Sequence, residues 1–333
     1  MAESIAAGVA LLGLGNIGGA VAKAIAIGAN DIEQRSGVRL ELVGAFDRGP
    51  EKAKRLGLVP GLTTTDATAL VVRPDVQVVI EVLGREQPAA DLMIRALAAG
   101  KHVVTANKEA VSKHLPAILA AARDGNAGFL PEASVGGGIP LMVSLRQIMA
   151  TNRIERIRGI VNGTTNFILS KMDAEGAGYA ETLREAQELG YAEPDPTADV
   201  EGFDAAYKLA ILASLMLGRH VRPDEIERTG ISGITADDVA AAKENGGTIR
   251  LIASAERTGD EGVALKVGPT FVPNDDLFSR VTRNFNAIEI VGDRVGPVWL
   301  HGQGAGPDPT SSAILSDVIE VMKVGSTATP WLG

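Results

Sequence analysis

The chain has no cysteine among its 333 residues. That excludes disulfides, a thiol nucleophile and thiolate-bound zinc, and it is compatible with a reducing compartment. Only four histidines occur, His102, His114, His220 and His301. They are scattered without metal-ligand spacing, so each reads as ordinary surface or core. There is no basic run: 32 Lys and Arg stand against 41 Asp and Glu, a net charge of −9, which argues against nucleic-acid binding. No apolar run reaches membrane-spanning length without a charge or a glycine break. The N-terminal IAAGVALLGLGNIGGAVAKAI carries Glu3 and lacks the basic segment of a signal peptide. Internal repeats are absent as well. What remains is a chain 45% apolar and 22% charged, neither disordered nor membrane-like, and long enough for two domains with large cores. A soluble cytoplasmic protein is expected.

The richest stretch in chemistry is Gly190 to Leu209, GYAEPDPTADVEGFDAAYKL. After the turn-forming EPDPT, apolar residues from Ala198 to Leu217 recur at helical spacing, with Thr197 or Asp199 as N-cap. Asp204 and Lys208, four apart, share one face of that helix, and Glu193 and Asp199 can fold back toward them. An exposed pair of this kind contributes only about 0.3–0.5 kcal/mol. The helix continues as LAILASLML, apolar nearly all round, so its charged start is expected to be partly dry. A lysine held dry beside carboxylates is a candidate proton donor.

At the N-terminus, the apolar run Ile5 to Leu12 reads as a buried parallel strand. Gly13-Leu14-Gly15-Asn16-Ile17-Gly18 and the amphipathic AVAKAIAI follow. Strand, GxGxxG and helix in that order form the dinucleotide-binding fingerprint. Gly13 permits the tight turn, Gly15 lets backbone approach a pyrophosphate, and Gly18 lets helix and strand pack closely, with the helix N-terminus facing the anion. Leu40 to Phe46 is the next strand and ends in Asp47-Arg48. The acid suits the ribose hydroxyls of NAD and the arginine suits the 2′-phosphate of NADP, so the choice of cofactor stays open. Asp47 lies 29 residues beyond Gly18, where about 20 is usual, which implies a long helix and loop between them.

Val76 to Leu83 reads as a further strand closed by Gly84, Asp91 to Ala99 as a helix ended by Gly100, and Lys101 to Thr105 as the strand after it. This βα rhythm implies a parallel sheet whose ligand edge lies at the carboxyl ends of its strands. Lys108 falls at such an end, where a nicotinamide or substrate would be. The run Glu132 to Pro140, EASVGGGIP, exposes backbone carbonyls and amides through three successive glycines. Either an ion or ligand site or an interdomain hinge would use it.

In the second half, Ile154 to Asn162 reads as a strand leading into Gly163-Thr164-Thr165-Asn166 and a helix. Ile249 to Ala255, Val263 to Val267 and Ala287 to Val291 have strand character. Val298 to Leu300 precedes GQGAG, and PTSSAILSDVIEVM reads as an amphipathic helix capped by Thr310 or Ser311 that returns to the first domain. The tail after Val324 reads as a frayed end. The fold class is therefore α/β, a Rossmann-type doubly wound parallel sheet plus an α+β substrate and dimerisation domain. Residues 1–130, rejoined by the helix 308–324, would form the NAD(P)-binding domain, and 131–305 the catalytic domain.

The chain resembles homoserine dehydrogenase over nearly its whole length. LLGLGNIGG, HVVTANKE, EASVGGGIP, IRGIVNGTTNFIL, AQELGYAEPDPTADVEGFDAAYKL and GQGAGPDPTSSAILSDV follow one another in that family's order. The resemblance implies NAD- or NADP-dependent interconversion of L-homoserine and L-aspartate 4-semialdehyde, in the biosynthesis of threonine, methionine and isoleucine, by a homodimer. It implies Lys208 as proton donor and Lys108 as a second essential lysine near the nicotinamide and substrate. Glu193, Asp199 and Asp204 resemble the acids that hold homoserine. Gly13, Gly15, Asn16, Ile17, Gly18, Asp47, Arg48, Gly84, Gly190 and Gly306 resemble cofactor-lining positions. Glu132, Val135, Gly137 and Ile139 resemble a monovalent-cation site, usually sodium, built mainly from backbone carbonyls.

Departures are few. Gly84-Arg85 stands where the family has a glycine pair. Neither a C-terminal regulatory domain nor an N-terminal kinase is present in these residues, so threonine feedback through such a domain is not expected. Another two-domain NAD(P)-dependent dehydrogenase of small amino or sugar substrates is the alternative, and a non-catalytic NAD(P)-sensing protein a remote one.

Overall fold

The computed structural model describes residues 4–59, 61–259 and 262–331. The chain forms two compact units, one of Met1–Val143 with Ala305–Gly333, the other of Ser144–Gly304.

The first unit is built on a six-stranded sheet of β1 (Ile5–Leu12), β2 (Val38–Phe46), β3 (Thr63–Thr64), β4 (Val78–Glu81), β5 (His102–Thr105) and β6 (Phe129–Leu130), in the order β3-β2-β1-β4-β5-β6. Every pair is parallel. This is the doubly wound dinucleotide-binding order, whose ligand crevice lies at the carboxyl ends of the strands where the winding reverses. Register places Leu12 beside both Phe46 and Glu81, and Glu81 beside Thr105. The loops leaving these four positions therefore share one sheet edge. The helix Asn16–Ser36 is the long helix the spacing requires, and it stops at Gly37, whose φ of 71° is the left-handed conformation glycine adopts cheaply.

The helix between β4 and β5 runs from Glu86 to Ala98, five residues earlier than the apolar periodicity begins. The C-terminal helix Pro307–Val324 belongs to this unit: its Ile314, Val318 and Val321 enter the same core as Val21, Ile25, Leu11 and Ile80. Its N-cap is Gly306 with φ 124°, not Thr310 or Ser311. Those two sit inside the first turns, where Ser311 Oγ donates to the Asp308 carbonyl. As far as Thr329 the tail does not fray. Ala328 and Thr329 are buried, and the Phe129 amide donates to Thr329 Oγ1 at 2.9 Å, so the tail lies along the outer strand β6.

The second unit carries a sheet of β7 (Ile154–Ile160), β8 (Glu227–Arg228), β9 (Gly247–Thr258), β10 (Gly262–Pro273), β11 (Phe285–Gly292) and β12 (Gly296–Gln303), in the order β12-β11-β7-β9-β10-β8. Its pairs are antiparallel except β10 with β8. The helices Gly163–Glu175 and Phe203–Leu217 pack against β9. In the second of these, Leu209 to Met216 are buried without a break. Each fully buried leucine or isoleucine contributes about 1.5–3 kcal/mol. The helix anticipated over Ala198–Leu217 is divided in two: Thr197–Val200 forms one turn, Gly202 takes φ 78°, and Phe203–Leu217 begins after it. That left-handed residue turns the chain, so Asp199 and Asp204 sit on different elements. Neither Thr197 nor Asp199 is an N-cap; Pro196 and Gly202 hold those positions.

Candidate active site

In the first unit the three fingerprint glycines do three different things. Gly13 has φ 105°, and a β-carbon there would lie 2.8 Å from the Val82 carbonyl oxygen. At Gly18 a β-carbon would lie 1.8 Å from the Gly13 carbonyl oxygen, which enforces close packing of helix on strand. Beside Gly15 there is open space, with nothing within 4 Å of the same construction. Gly15 is also the N-cap of the helix Asn16–Ser36, with no side-chain cap bond and no acid in the first turn. An open, uncapped, electropositive helix start is the cradle a pyrophosphate needs, so these residues fit a dinucleotide.

Asp47, just beyond β2, accepts the Leu14 amide at 3.0 Å and the Gly49 amide at 3.0 Å, and pairs with Lys52 Nζ at 3.1 Å. Burial works to raise its pKa, but these hydrogen bonds and Lys52 outweigh it and hold the carboxyl below its usual range. Asp47 thus ties the glycine loop to the loop after β2. It also lines a cavity of about 410 Å³ with Leu14, Gly49, Ala53, Thr63, Thr64 and Thr65. Arg48 is exposed beside it. Asn16 is exposed and Ile17 half-buried at the helix start, and Gly84 after β4 takes φ 78°. Lys108, half-buried, is the first residue of the helix Lys108–Asp124, whose N-cap is Asn107.

In the second unit the acid-lysine stretch folds as a compact cluster. Lys208 Nζ donates to Asp204 Oδ2 at 2.6 Å and to the Val161 carbonyl at 2.7 Å. Both residues are buried, with Lys208 9% and Asp204 6% exposed, so the pair is not the solvated surface contact that i,i+4 spacing usually gives. Sequence reading missed Asn162. Its Nδ2 donates to Asp199 Oδ1 at 2.7 Å and to Asp204 Oδ2 at 2.9 Å. Its Oδ1 accepts the Thr165 amide and hydroxyl, each at 2.9 Å, capping the helix Gly163–Glu175. An asparagine directly before GTTN at a strand end was the available signal, since that is an N-cap position.

Burial raises the pKa of Asp199, the charge of Asp204 raises it further, and Asn162 and Lys208 act against both. Two carboxylates, one amide and one ammonium thus share a small volume, buried except at half-buried Asp199, suited to a ligand that brings positive charge and a proton-exchanging oxygen. Glu193 is exposed at the edge of this stretch, and Gly190 takes φ 75° before it. Gly306 lies in the first unit.

The carboxylate of Glu132 is committed elsewhere. It accepts the amides of Leu141 at 2.6 Å, Met142 at 2.7 Å and Val143 at 2.9 Å, the first turn of the helix Leu141–Met149. Burial raises its pKa, with the three amides opposing and Glu320 adding to the rise. A cation here would therefore be met by backbone carbonyls, around a turn where Gly136 and Gly137 take φ 80° and 57°. Among the described residues, no three His, Cys, Asp or Glu side chains gather to hold a metal.

A doubly wound dinucleotide-binding unit joined to a mixed-sheet unit that carries a buried lysine and acid cluster defines a nicotinamide-dependent oxidoreductase. Comparison with known proteins gives the particular family. The homoserine dehydrogenase profile matches residues 140–319, and that of the homoserine dehydrogenase NAD binding domain matches residues 13–132. The homoserine dehydrogenase of Synechocystis is 41% identical over 95% of this chain and 73% of its own. The crystal structure of a homoserine dehydrogenase from Thiobacillus denitrificans superposes with a TM-score of 0.92 at 42% identity, covering 98% of this chain and 75% of that one. A hyperthermophilic archaeal homoserine dehydrogenase in complex with NADPH matches at a TM-score of 0.79 and 27% identity, covering 95% and 97%.

The chain belongs to the homoserine dehydrogenase family. It is an NAD(P)-dependent oxidoreductase of amino-acid biosynthesis, interconverting L-homoserine and L-aspartate 4-semialdehyde.

Proposed function

We propose that Lys208 is the proton donor of this reaction and that the first unit carries the cofactor while the second carries the amino acid. The observation that carries the reading is the ammonium of Lys208, buried and held by Asp204 and the Val161 carbonyl. Two of its hydrogens are so engaged, and the third is the one delivered to the substrate. When bound, the reduced nicotinamide supplies the hydride for the aldehyde carbon. As negative charge grows on the aldehyde oxygen, Lys208 gives it a proton. In the oxidative direction Lys208 takes the hydroxyl proton back. Asp204 keeps Nζ in place and stabilises its charged form. Asp199, with Glu193 at the edge of the cluster, receives the substrate's ammonium. Lys108 adds positive charge where the oxyanion forms.

NAD and NADP both remain candidates, with Gly13, Gly15, Asn16, Ile17, Gly18, Asp47, Arg48, Gly84, Lys108, Gly190 and Gly306 as the lining. The NADPH complex of the archaeal relative supports NADP as one of the two. Carbonyls of Glu132, Val135, Gly137 and Ile139 would hold a sodium ion in a structural role. The protein is taken to be a cytoplasmic homodimer, and sedimentation as a monomer at working concentration would overturn the dimer.

The test follows absorbance of the reduced nicotinamide while purified protein oxidises L-homoserine, with NAD and NADP in parallel. Turnover is expected, and its ratio reports whether Asp47 or Arg48 dominates the adenosine end. A folded protein that binds cofactor but turns over homoserine with neither would overturn the reading.

A further inference from the structure

Glu81, the last residue of β4, is fully buried, at 0% exposure. Its carboxylate collects donors from two loops. Oε1 accepts the Leu83 amide at 2.7 Å and, at 3.4 Å, Nδ2 of Asn107; Oε2 accepts the Thr105 hydroxyl at 2.6 Å. Thr105 Oγ1 in turn accepts the Asn107 amide at 3.0 Å. The Asn107 side chain closes the set: Nδ2 donates to the Arg85 carbonyl at 2.8 Å, and Oδ1 accepts the Ala110 amide at 3.0 Å as the N-cap of the helix that Lys108 begins.

A buried carboxylate is costly where an apolar side chain would pack freely, and the residues before Glu81 in β4 are all apolar and buried. What Glu81 does that none of them can is bond to both loops that leave the carboxyl edge of the sheet here, 82–85 and 105–108. That edge is where doubly wound sheets bind their ligands. The hydrogen-bond roles also require a carboxylate. The single hydrogen of Thr105 points at Oε2, because its oxygen already accepts from Asn107. A glutamine would turn its NH₂ either toward Thr105, leaving that hydrogen without an acceptor, or toward the Leu83 amide and Asn107 Nδ2, which are both donors. Burial pushes the Glu81 carboxyl up, and the bonds from Thr105, Leu83 and Asn107 counter it.

We propose that Glu81 is a positioning residue for the reaction, fixing Lys108 and the 82–85 loop relative to each other through Thr105 and Asn107. The inference rests on the reading that Lys108 serves the chemistry. Glu81 touches no substrate; it sets where the Lys108 side chain starts. A displacement of about 1 Å of such a group costs up to about a hundredfold in rate.

The test measures kcat and KM for homoserine in Glu81→Gln, Thr105→Val, Thr105→Ser, Lys108→Ala and the double variant Glu81→Gln/Lys108→Ala, with thermal melting as the check on folding. Glu81→Gln and Thr105→Val are expected to lower kcat about tenfold or more. Thr105→Ser, which keeps the hydroxyl, should stay within about twofold of wild type, and Glu81→Gln should have no further effect on kcat once Lys108 is alanine. If Lys108→Ala is impaired while Glu81→Gln turns over normally, the positioning role falls and the reading of Lys108 stands. If Lys108→Ala itself is normal, that reading falls and takes the inference with it. Should Glu81→Gln fail to fold, the threonine pair decides: equal activity of the valine and serine variants overturns the proposal.

Discussion

The side-chain nitrogen of Asn162 lies 2.7 Å from Asp199 Oδ1, and the same nitrogen lies 2.9 Å from Asp204 Oδ2. One neutral amide therefore holds two like-charged groups side by side. Its orientation is not free, because Thr165 donates twice to the oxygen of the same amide.

Asn162→Ala should therefore loosen the grip on homoserine more than it slows the chemistry. Removing this donor takes the Asn162 bond from half-buried Asp199 Oδ1 and from Asp204 Oδ2, which keeps Lys208, at a cost of about 1–3 kcal/mol, so a rise in homoserine KM of about tenfold is expected, with cofactor affinity unchanged. Initial rates against homoserine concentration measure it. An unaltered KM in a folded variant would show that Asn162 only caps its helix.

Lys208→Ala removes the proton donor. Its turnover should fall by about 10²–10⁴-fold while cofactor binding persists. The variant should also be less stable, because buried Asp204 loses its cation and keeps the Asn162 amide, a loss of up to about 3–5 kcal/mol for a broken buried pair. Turnover within a factor of about two of wild type would remove Lys208 from the role.

Asp199 gives a pH dependence of known sign. Its pKa is raised, first by burial and then by Asp204. It therefore takes up its proton at a higher pH than an ordinary aspartate, and the neutral acid no longer attracts an ammonium. Homoserine KM should climb as pH falls, starting above the usual aspartate range, and in Asp199→Asn that climb should vanish from an already weakened KM. An acid limb that survives unchanged in Asp199→Asn would assign it to another group.

Gly15→Ala and Gly18→Ala separate binding from folding. Beside Gly15 a methyl group meets nothing, so that variant should melt as wild type does and bind dinucleotide more weakly, because the methyl occupies the pyrophosphate's approach. At Gly18 the methyl would sit 1.8 Å from the Gly13 carbonyl, and the fold itself should lose stability by about 1–3 kcal/mol or more. Calorimetry of melting and of cofactor binding distinguishes the two. Equal losses of stability would contradict the open space at Gly15.

Much of this was legible in the sequence because it is local. The GLGNIG turn lies between a strand and a helix that periodicity reveals, and an i,i+4 spacing puts Asp204 and Lys208 on one helical face wherever the helix goes. What sequence by itself determined was therefore the doubly wound class, the dinucleotide fingerprint, the acid-lysine pair and the family.

Tertiary structure decided the rest. Asn162 lies 37 and 42 residues from the acids it bridges, and Thr105 lies 24 residues from Glu81. Phe129 holds the tail through Thr329, 200 residues away. The Glu132 carboxylate turns to a helix start rather than outward, and one left-handed glycine, Gly202, splits what periodicity reads as a single helix. Such pairings have no period. They depend on which strand ends become neighbours once apolar faces are buried, and a buried donor or acceptor then takes whatever partner that packing brings within reach.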